Sequence, residues 1–313
     1  MDGEIRNAKH AKEGGKHYSI KLKRTSNHEA PSLDEHAEIK QRREDRHWSE
    51  KSLEDMSQRD WLTFKTDHKI RCKGEGIPCP LRSWNDLSVP KLIREFIDKR
   101  GYKKPTPIQM QSIPIGLQNR DVIGVAPAGS GKTVAALIPL FAWIQGLSKL
   151  EMMEDSIKAP YAIILTPTRQ VARQVADECL RFGETSGIRT ATVIGGMTRE
   201  EQNLQLGSGC EIIVATPGRL AHTLEKRTLV LSQWTFVVMD ETDCMIEFGF
   251  ESDLCRILDL IPGYKELPKT EDVEEDGKKY HQTVIFTSTM SPTLERFARS
   301  FLRDPCMVHI HSV

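Results

Sequence analysis

The run APAGSGKT, residues 126–133, puts two glycines, a lysine and a threonine where an anion could be held. Gly129 and Gly131 let the backbone bend so that N–H groups converge on a phosphate. Lys132 would bridge the outer phosphates of a nucleotide and Thr133 would ligate Mg²⁺. The run FVVMDETD, residues 236–243, ends an apolar stretch in Asp240 and Glu241. An Asp there can hold Mg²⁺, partly through water, and the adjacent Glu can polarise a water for attack on a terminal phosphate. Either run alone has a plainer reading: a glycine-rich turn, or acidic residues capping a helix.

Both runs need a particular frame. DVIGVA precedes the glycine loop and TVAALIPLFAWIQ follows it, giving the strand–loop–helix order that a phosphate cradle requires. Further short runs rich in Val and Ile recur: YAIILTP, RTATVIGG, EIIVATP, FVVMDE, TVIFTST and MVHIH. Several are apolar on consecutive residues, which suits strands buried on both faces of a parallel sheet. Helical patterns alternate with them. Thr198 with Glu201 predicts a capping box, and Ser291 before Pro292 predicts a helix start. The expected fold is a doubly wound α/β domain over residues 81–313. In a parallel sheet the strand carboxyl ends share one edge, and ligands bind there.

Residues 1–80 are polar and charge-mixed and are expected to stay disordered or to pack only in part, with some helix. KLKR at 21–24 has the form of a nuclear import signal, but such short basic clusters are more often plain solvated surface. The stretches 148–160 and 264–282 read as surface loops. Lys+Arg and Asp+Glu both number 44, which argues against a polycation that grips nucleic acid by bulk charge and leaves a local basic groove open. The seven cysteines show no C-x-x-C pair and read as reduced and intracellular. No apolar run approaches the roughly 20 residues of a membrane span. A monomer is expected.

Taken together, these motifs resemble the DEAD-box family of RNA helicases. GYKKPTPIQ (101–109) is similar to the family's adenine-recognising motif, which implies that Gln109 bonds the adenine edge. Trp84 stands seventeen positions before Gly101, where the family has an aromatic residue that stacks on the base. The nucleotide-binding run becomes Ala128, Gly129, Ser130, Gly131, Lys132 and Thr133, with Lys132, Asp240 and Glu241 as the catalytic set. PTRQVA (167–172), Gly195–Gly196 and TPGR (216–219) resemble the RNA-contacting elements, which implies roles for Pro167, Thr168, Arg169, Thr216, Pro217, Gly218 and Arg219. Asp243, Thr287 and Thr289 match residues that couple hydrolysis to strand separation. The resemblance implies a RecA-like P-loop domain with a mostly parallel sheet flanked by helices, using ATP and Mg²⁺. The RNA elements also make sense unaided. Each ends a strand and opens a helix, so N–H groups can bind phosphates independently of sequence.

Several positions depart from the family pattern: Pro127 and Ala128 in the cradle, Gln170 for Glu, Thr242 for the Ala of DEAD, and Ser288 for Ala. Pro127 removes one donor from the loop. Flanking stretches resemble the splicing branch of the family, implying a nuclear location and spliceosomal protein partners. A second RecA-like domain with its arginine fingers is not recognised in these residues, so turnover is expected to need one. Two readings stay open: the ATP-binding domain of a splicing helicase, or a catalytically inactive truncated relative that binds RNA or spliceosomal components.

Overall fold

The computed structural model describes residues 46–147, 159–231, 236–261 and 281–311. The import-signal candidate at 21–24 and nearly all of both loop stretches lie outside them. The exceptions, Ala159–Pro160 and His281–Gln282, are buried, and Gln282 opens a strand. A first unit ends at Lys51 and contains the 3-10 turn Trp48–Glu50. The second unit runs from Ser52 and carries everything below.

Eight strands form one sheet: β1 (Ile70–Lys73), β2 (Val122–Val125), β3 (Ala162–Leu165), β4 (Thr190–Val193), β5 (Ile212–Ala215), β6 (Phe236–Met239), β7 (Gln282–Thr287) and β8 (Cys306–Ile310). Their order is β1-β8-β2-β7-β6-β3-β5-β4, parallel throughout except that β1 runs antiparallel to β8. The seven apolar runs read from the sequence are β2 to β8. β1 lies before residue 81, so the sheet takes in part of the segment read as a polar extension. The helix α1 (Gln58–Asp67) precedes it, started by a Ser57–Asp60 capping box.

The remaining helices are α2 (Lys91–Lys99), α3 (Pro107–Gly116), α4 (Lys132–Gly146), α5 (Arg169–Ser186), α6 (Arg199–Gly207), α7 (Pro217–Glu225), α8 (Thr242–Glu247), α9 (Glu251–Asp259) and α10 (Pro292–Phe301). One sheet face, including Ile123, Ile163, Ile213, Val237 and Ile285, packs on Leu220, Leu254, Ile257 and Phe297 from α7, α9 and α10. Behind the other face, Phe141 of α4 stacks on Phe182 of α5 at 3.8 Å, with Phe96 of α2 edge-on to both. Burying each such ring contributes about 1.5–3 kcal/mol. β2, β3, β5 and β6 are buried at every position, which is why their apolar residues are consecutive rather than alternating. The predicted caps are present: Thr198 Oγ1 accepts from Glu201 N, and Ser291 Oγ accepts from Leu294 N. All seven cysteines are free.

At the amino edge, Asp121 accepts from Thr283 N at 2.7 Å and Arg303 N at 2.8 Å. Burial pushes its carboxyl up to about 6, against the opposing pull of those two bonds. Between its ordinary 3.8 and about 6 the folded chain keeps a proton that the unfolded chain releases. This group's contribution to stability is therefore present at acid pH and lost as pH rises through 6. A ¹³C titration of the Asp121 carboxyl is expected to show a midpoint near 6; a midpoint near 3.8 would contradict the burial argument.

Candidate ATP and RNA site

Every predicted site element except the Trp84 and Gln109 segment lies at the carboxyl end of a parallel strand. The sheet order divides that edge in two. β2, β7 and β6 carry the glycine loop, Thr287–Thr289 and Asp240–Asp243 on one half. β3, β5 and β4 carry Pro167–Arg169, Thr216–Arg219 and Gly195–Gly196 on the other.

The cradle turns from β2 into α4 with Gly129 at φ 73° and Gly131 at φ 89°, backbone that L side chains rarely adopt. A Cβ on Gly131 would collide with the Gln109 amide. Pro127, Ala128 and Gly129 are exposed, so the two off-pattern residues sit at the loop's outer lip. Lys132 Nζ donates to the Ala126 carbonyl at 2.8 Å and the Pro127 carbonyl at 2.9 Å. It also reaches Ser288 Oγ at 3.3 Å, so the off-pattern serine takes part in holding the lysine. Burial lowers the Lys132 pKa, and Asp240, Asp243 and Glu241 pull it back up.

Thr133 Oγ1 donates to Asp240 Oδ2 at 2.6 Å, closing the cradle onto β6. These are hard oxygen donors of the kind Mg²⁺ takes, and few protein ligands are needed when phosphates and waters complete the octahedron. No group of three or more His, Cys, Asp or Glu suited to a metal occurs among the described residues. Burial raises the Asp240 pKa, opposed by the Thr133 bond and Lys132. Glu241 is raised by burial and then by Asp240. Glu241 sits at φ 54° and ψ 48°, left-handed backbone unusual for a residue with a side chain. That conformation turns the chain sharply from β6 into α8.

Thr242 is fully buried, with its hydroxyl shared between the Met239 carbonyl at 3.1 Å and the Phe286 carbonyl at 3.2 Å. The off-pattern hydroxyl is thus satisfied, and it links β6 to β7. Asp243 Oδ2 accepts from Ser288 N at 3.1 Å, Thr289 N at 2.9 Å and Thr289 Oγ1 at 3.1 Å. Burial alone would raise this carboxyl, but the bonds from Thr289 and Ser288 outweigh it and hold it below the ordinary value. Thr287 Oγ1 donates to the Thr289 carbonyl at 2.7 Å, fixing the turn that presents those donors.

Gln109 is buried in the first turn of α3. Its Oε1 accepts from Thr106 N at 3.0 Å, completing a capping box, and its Nε2 donates to the Gly131 carbonyl at 3.1 Å. Thr106 Oγ1 donates to the Ser130 carbonyl at 2.7 Å. The adenine-motif segment is therefore bolted to the cradle twice. Thr106 was missed by the sequence reading, although T-x-x-Q ahead of an apolar helix is a readable capping box. Trp84 is 7% exposed and tilted against the half-buried Tyr102 at 6.4 Å. Pro114, inside α3, has no N–H for the Met110 carbonyl, and Leu81 N fills that place at 2.8 Å. This bond ties the Trp84 segment to the helix carrying Gln109.

On the other half, Pro167, Thr168, Arg169, Gln170, Gly195, Thr216, Gly218, Arg219 and Phe250 line one cleft of about 520 Å³. Gly196 and Pro217 adjoin it in sequence. Arg169 lies over the glycine pair, and a Cβ on Gly196 (φ 85°) would sit 2.7 Å from its Nη1. The Arg169 side chain makes no ion pair or hydrogen bond among the described residues, while its backbone opens α5. Arg219 donates from Nε to Gln202 Oε1 at 2.8 Å and from Nη2 to the Met197 carbonyl at 3.2 Å. Phe250 on the cleft wall was not foreseen; nothing local in GFES announces it.

The DEAD/DEAH box helicase family model matches residues 106–297. The chain is 55% identical over 285 residues to the human "Probable ATP-dependent RNA helicase DDX23", covering 88% of this chain and 35% of that protein. It is 48% identical over 279 residues to the "Pre-mRNA-splicing ATP-dependent RNA helicase PRP28" of Coccidioides immitis, covering 86% and 34%. It thus spans about a third of the length of the curated relatives it matches. The crystal structure of the RNA helicase Prp28 from Chaetomium thermophilum bound to ADP matches with a TM-score of 0.72 and 42% identity, over 85% of this chain and 60% of that one. The yeast DEAD-box splicing factor Prp28 matches with a TM-score of 0.75 and 35% identity, over 85% and 59%.

Proposed function

Because the chain belongs to the DEAD/DEAH box helicase family, we propose that it is the ATP-binding RecA-like domain of an RNA helicase acting in pre-mRNA splicing. The observation that carries the nucleotide half is the 2.6 Å bond between Thr133 and Asp240, which joins the cradle to the acidic strand end. In this reading Gly129, Ser130, Gly131 and Lys132 hold the phosphates, and Lys132 gives up its carbonyl bonds to do so. Thr133 and Asp240 hold Mg²⁺, which neutralises phosphate charge when bound. Gln109 and Trp84 belong to the adenine end. Glu241 takes a proton from the attacking water. Asp243 carries the state of this half to Thr289 and Thr287. RNA is gripped through its backbone by the cleft of Arg169, the glycine pair and Thr216–Arg219, a contact that weakens with salt.

The splicing assignment rests on the names of the relatives, and with it the nuclear location and the spliceosomal protein partners. Action as a monomer is part of the same proposal and has no support from those names. No helix among the described residues is long and apolar enough to cross a membrane. The test is titration with a fluorescent ATP analogue and Mg²⁺. Saturable binding is expected, lost in Lys132→Ala and in Gln109→Ala. No binding by the parent chain would overturn the nucleotide reading.

A further inference from the structure

We infer that Gln202 is a positioning residue for RNA: it holds the Arg219 guanidinium in the orientation that meets a phosphate. The inference rests on the proposed RNA role of the cleft. Gln202 is 5% exposed on α6, and Thr223 is 2% exposed on α7. Gln202 Oε1 accepts from Arg219 Nε at 2.8 Å. Gln202 Nε2 donates to Thr223 Oγ1 at 3.2 Å, and that hydroxyl donates to the Arg219 carbonyl at 2.8 Å. The three residues form a closed ring of bonds in which each group has one allowed role. Arg219 Nε can only donate, so the amide oxygen must face it. The amide nitrogen must then face Thr223, whose own proton is committed to the Arg219 backbone. The ring therefore fixes which way the amide points, and the amide fixes the guanidinium.

The second Arg219 bond, from Nη2 to the Met197 carbonyl, aims the same fork at the segment that follows Gly195–Gly196. Nε and one Nη2 proton are spent on these anchors. The Nη1 group remains for an anion in the cleft that also contains Arg169 and Thr168. An arginine side chain carries large rotamer entropy, and fixing it beforehand removes that cost from binding. α6 is itself seated by the Thr198–Glu201 capping box, so the amide is presented from a helix start of defined geometry. Gln202 is too buried to reach a ligand itself. It acts through Arg219.

The experiment measures fluorescence anisotropy of a labelled oligo(U) with the full chain, across a salt series. Arg219→Ala is expected to weaken binding roughly tenfold and to reduce the salt slope by about 0.7, the value for one lost phosphate contact on a single strand. Gln202→Leu is expected to reproduce most of that loss with fluorescent ATP-analogue affinity unchanged. Thr223→Val, which keeps shape and removes only the hydroxyl, should move RNA affinity in the same direction by less. In an Arg219→Ala background, Gln202→Leu should add nothing, because its effect runs through the arginine. A Gln202→Leu or Thr223→Val chain with parental RNA affinity would overturn the inference, as would additive losses in the double variant. An Arg219→Ala chain with parental RNA affinity would overturn the RNA reading itself.

Discussion

Glu241→Gln is expected to lower ATP turnover by about 10²–10⁴, measured with a second RecA-like domain supplied, while leaving nucleotide affinity unchanged. The substitution preserves volume and hydrogen-bonding reach and removes only the capacity to accept a proton. Two features of the structure load that capacity onto this residue. The left-handed backbone at φ 54° is a conformation that a non-glycine residue holds only where the surroundings over-determine it. Here β6 and α8 fix it on both sides. Burial and the neighbouring Asp240 also raise the Glu241 pKa, making it a stronger base than a free glutamate. In the metal-free chain a ¹³C titration should therefore place the Glu241 midpoint above the ordinary value of 4.5. No turnover by the parent chain, together with a Glu241→Gln variant that changes nothing in a functional assay, would favour the reading of the chain as a binding module.

The sheet was largely legible because β2, β3, β5 and β6 are buried on both faces, which leaves unbroken apolar runs that no loop would carry. β1 was not. IRCK is an edge strand with one paired side and alternating exposure, so its four residues carry too little apolar signal to stand out from the charged segment around them. The chemistry-bearing residues were legible for a different reason. Glycines at positive φ, a lysine after them and carboxylates at a strand end are constraints on residue type, and type is what a sequence states. What it does not state is which side chains meet. Gln109 meeting Gly131, Ser288 meeting Lys132 and Gln202 meeting Arg219 all cross between elements, and each polar group had other partners open to it until the sheet order was known. The departures at Thr242 and Ser288 each put a hydroxyl where the family pattern has Ala, and the sequence does not say what those hydroxyls meet. Both hydroxyls have partners: buried Thr242 bonds the Met239 and Phe286 carbonyls, as a buried polar group must, and exposed Ser288 meets the Lys132 ammonium.

The largest gain is expected from adding a second RecA-like domain, in cis or in trans: ATP hydrolysis should rise by about 10³–10⁵ when an arginine from that domain reaches the γ-phosphate. The charge inventory of the nucleotide half gives the reason. Lys132 faces Asp240, Glu241 and Asp243, one cation against three carboxylates. The triphosphate adds further negative charge at the same spot, and it is redistributed toward the leaving group as the bond to the γ-phosphorus breaks. Lys132 alone cannot offset this, and Arg169 and Arg219 lie on the other half of the edge, past the ends of β3 and β5. A bound Mg²⁺ supplies part of the missing positive charge but is shared with the ground state. The remainder must come from a group that engages only in the transition state. The assay is steady-state phosphate release with RNA present, comparing the chain alone, the chain with the second domain, and the same mixture carrying Lys132→Ala. A rise that depends on Lys132 assigns turnover to this cradle. An unchanged rate with the second domain bound would mean that the three carboxylates are served by some other cation, and that the helicase reading of this half is wrong.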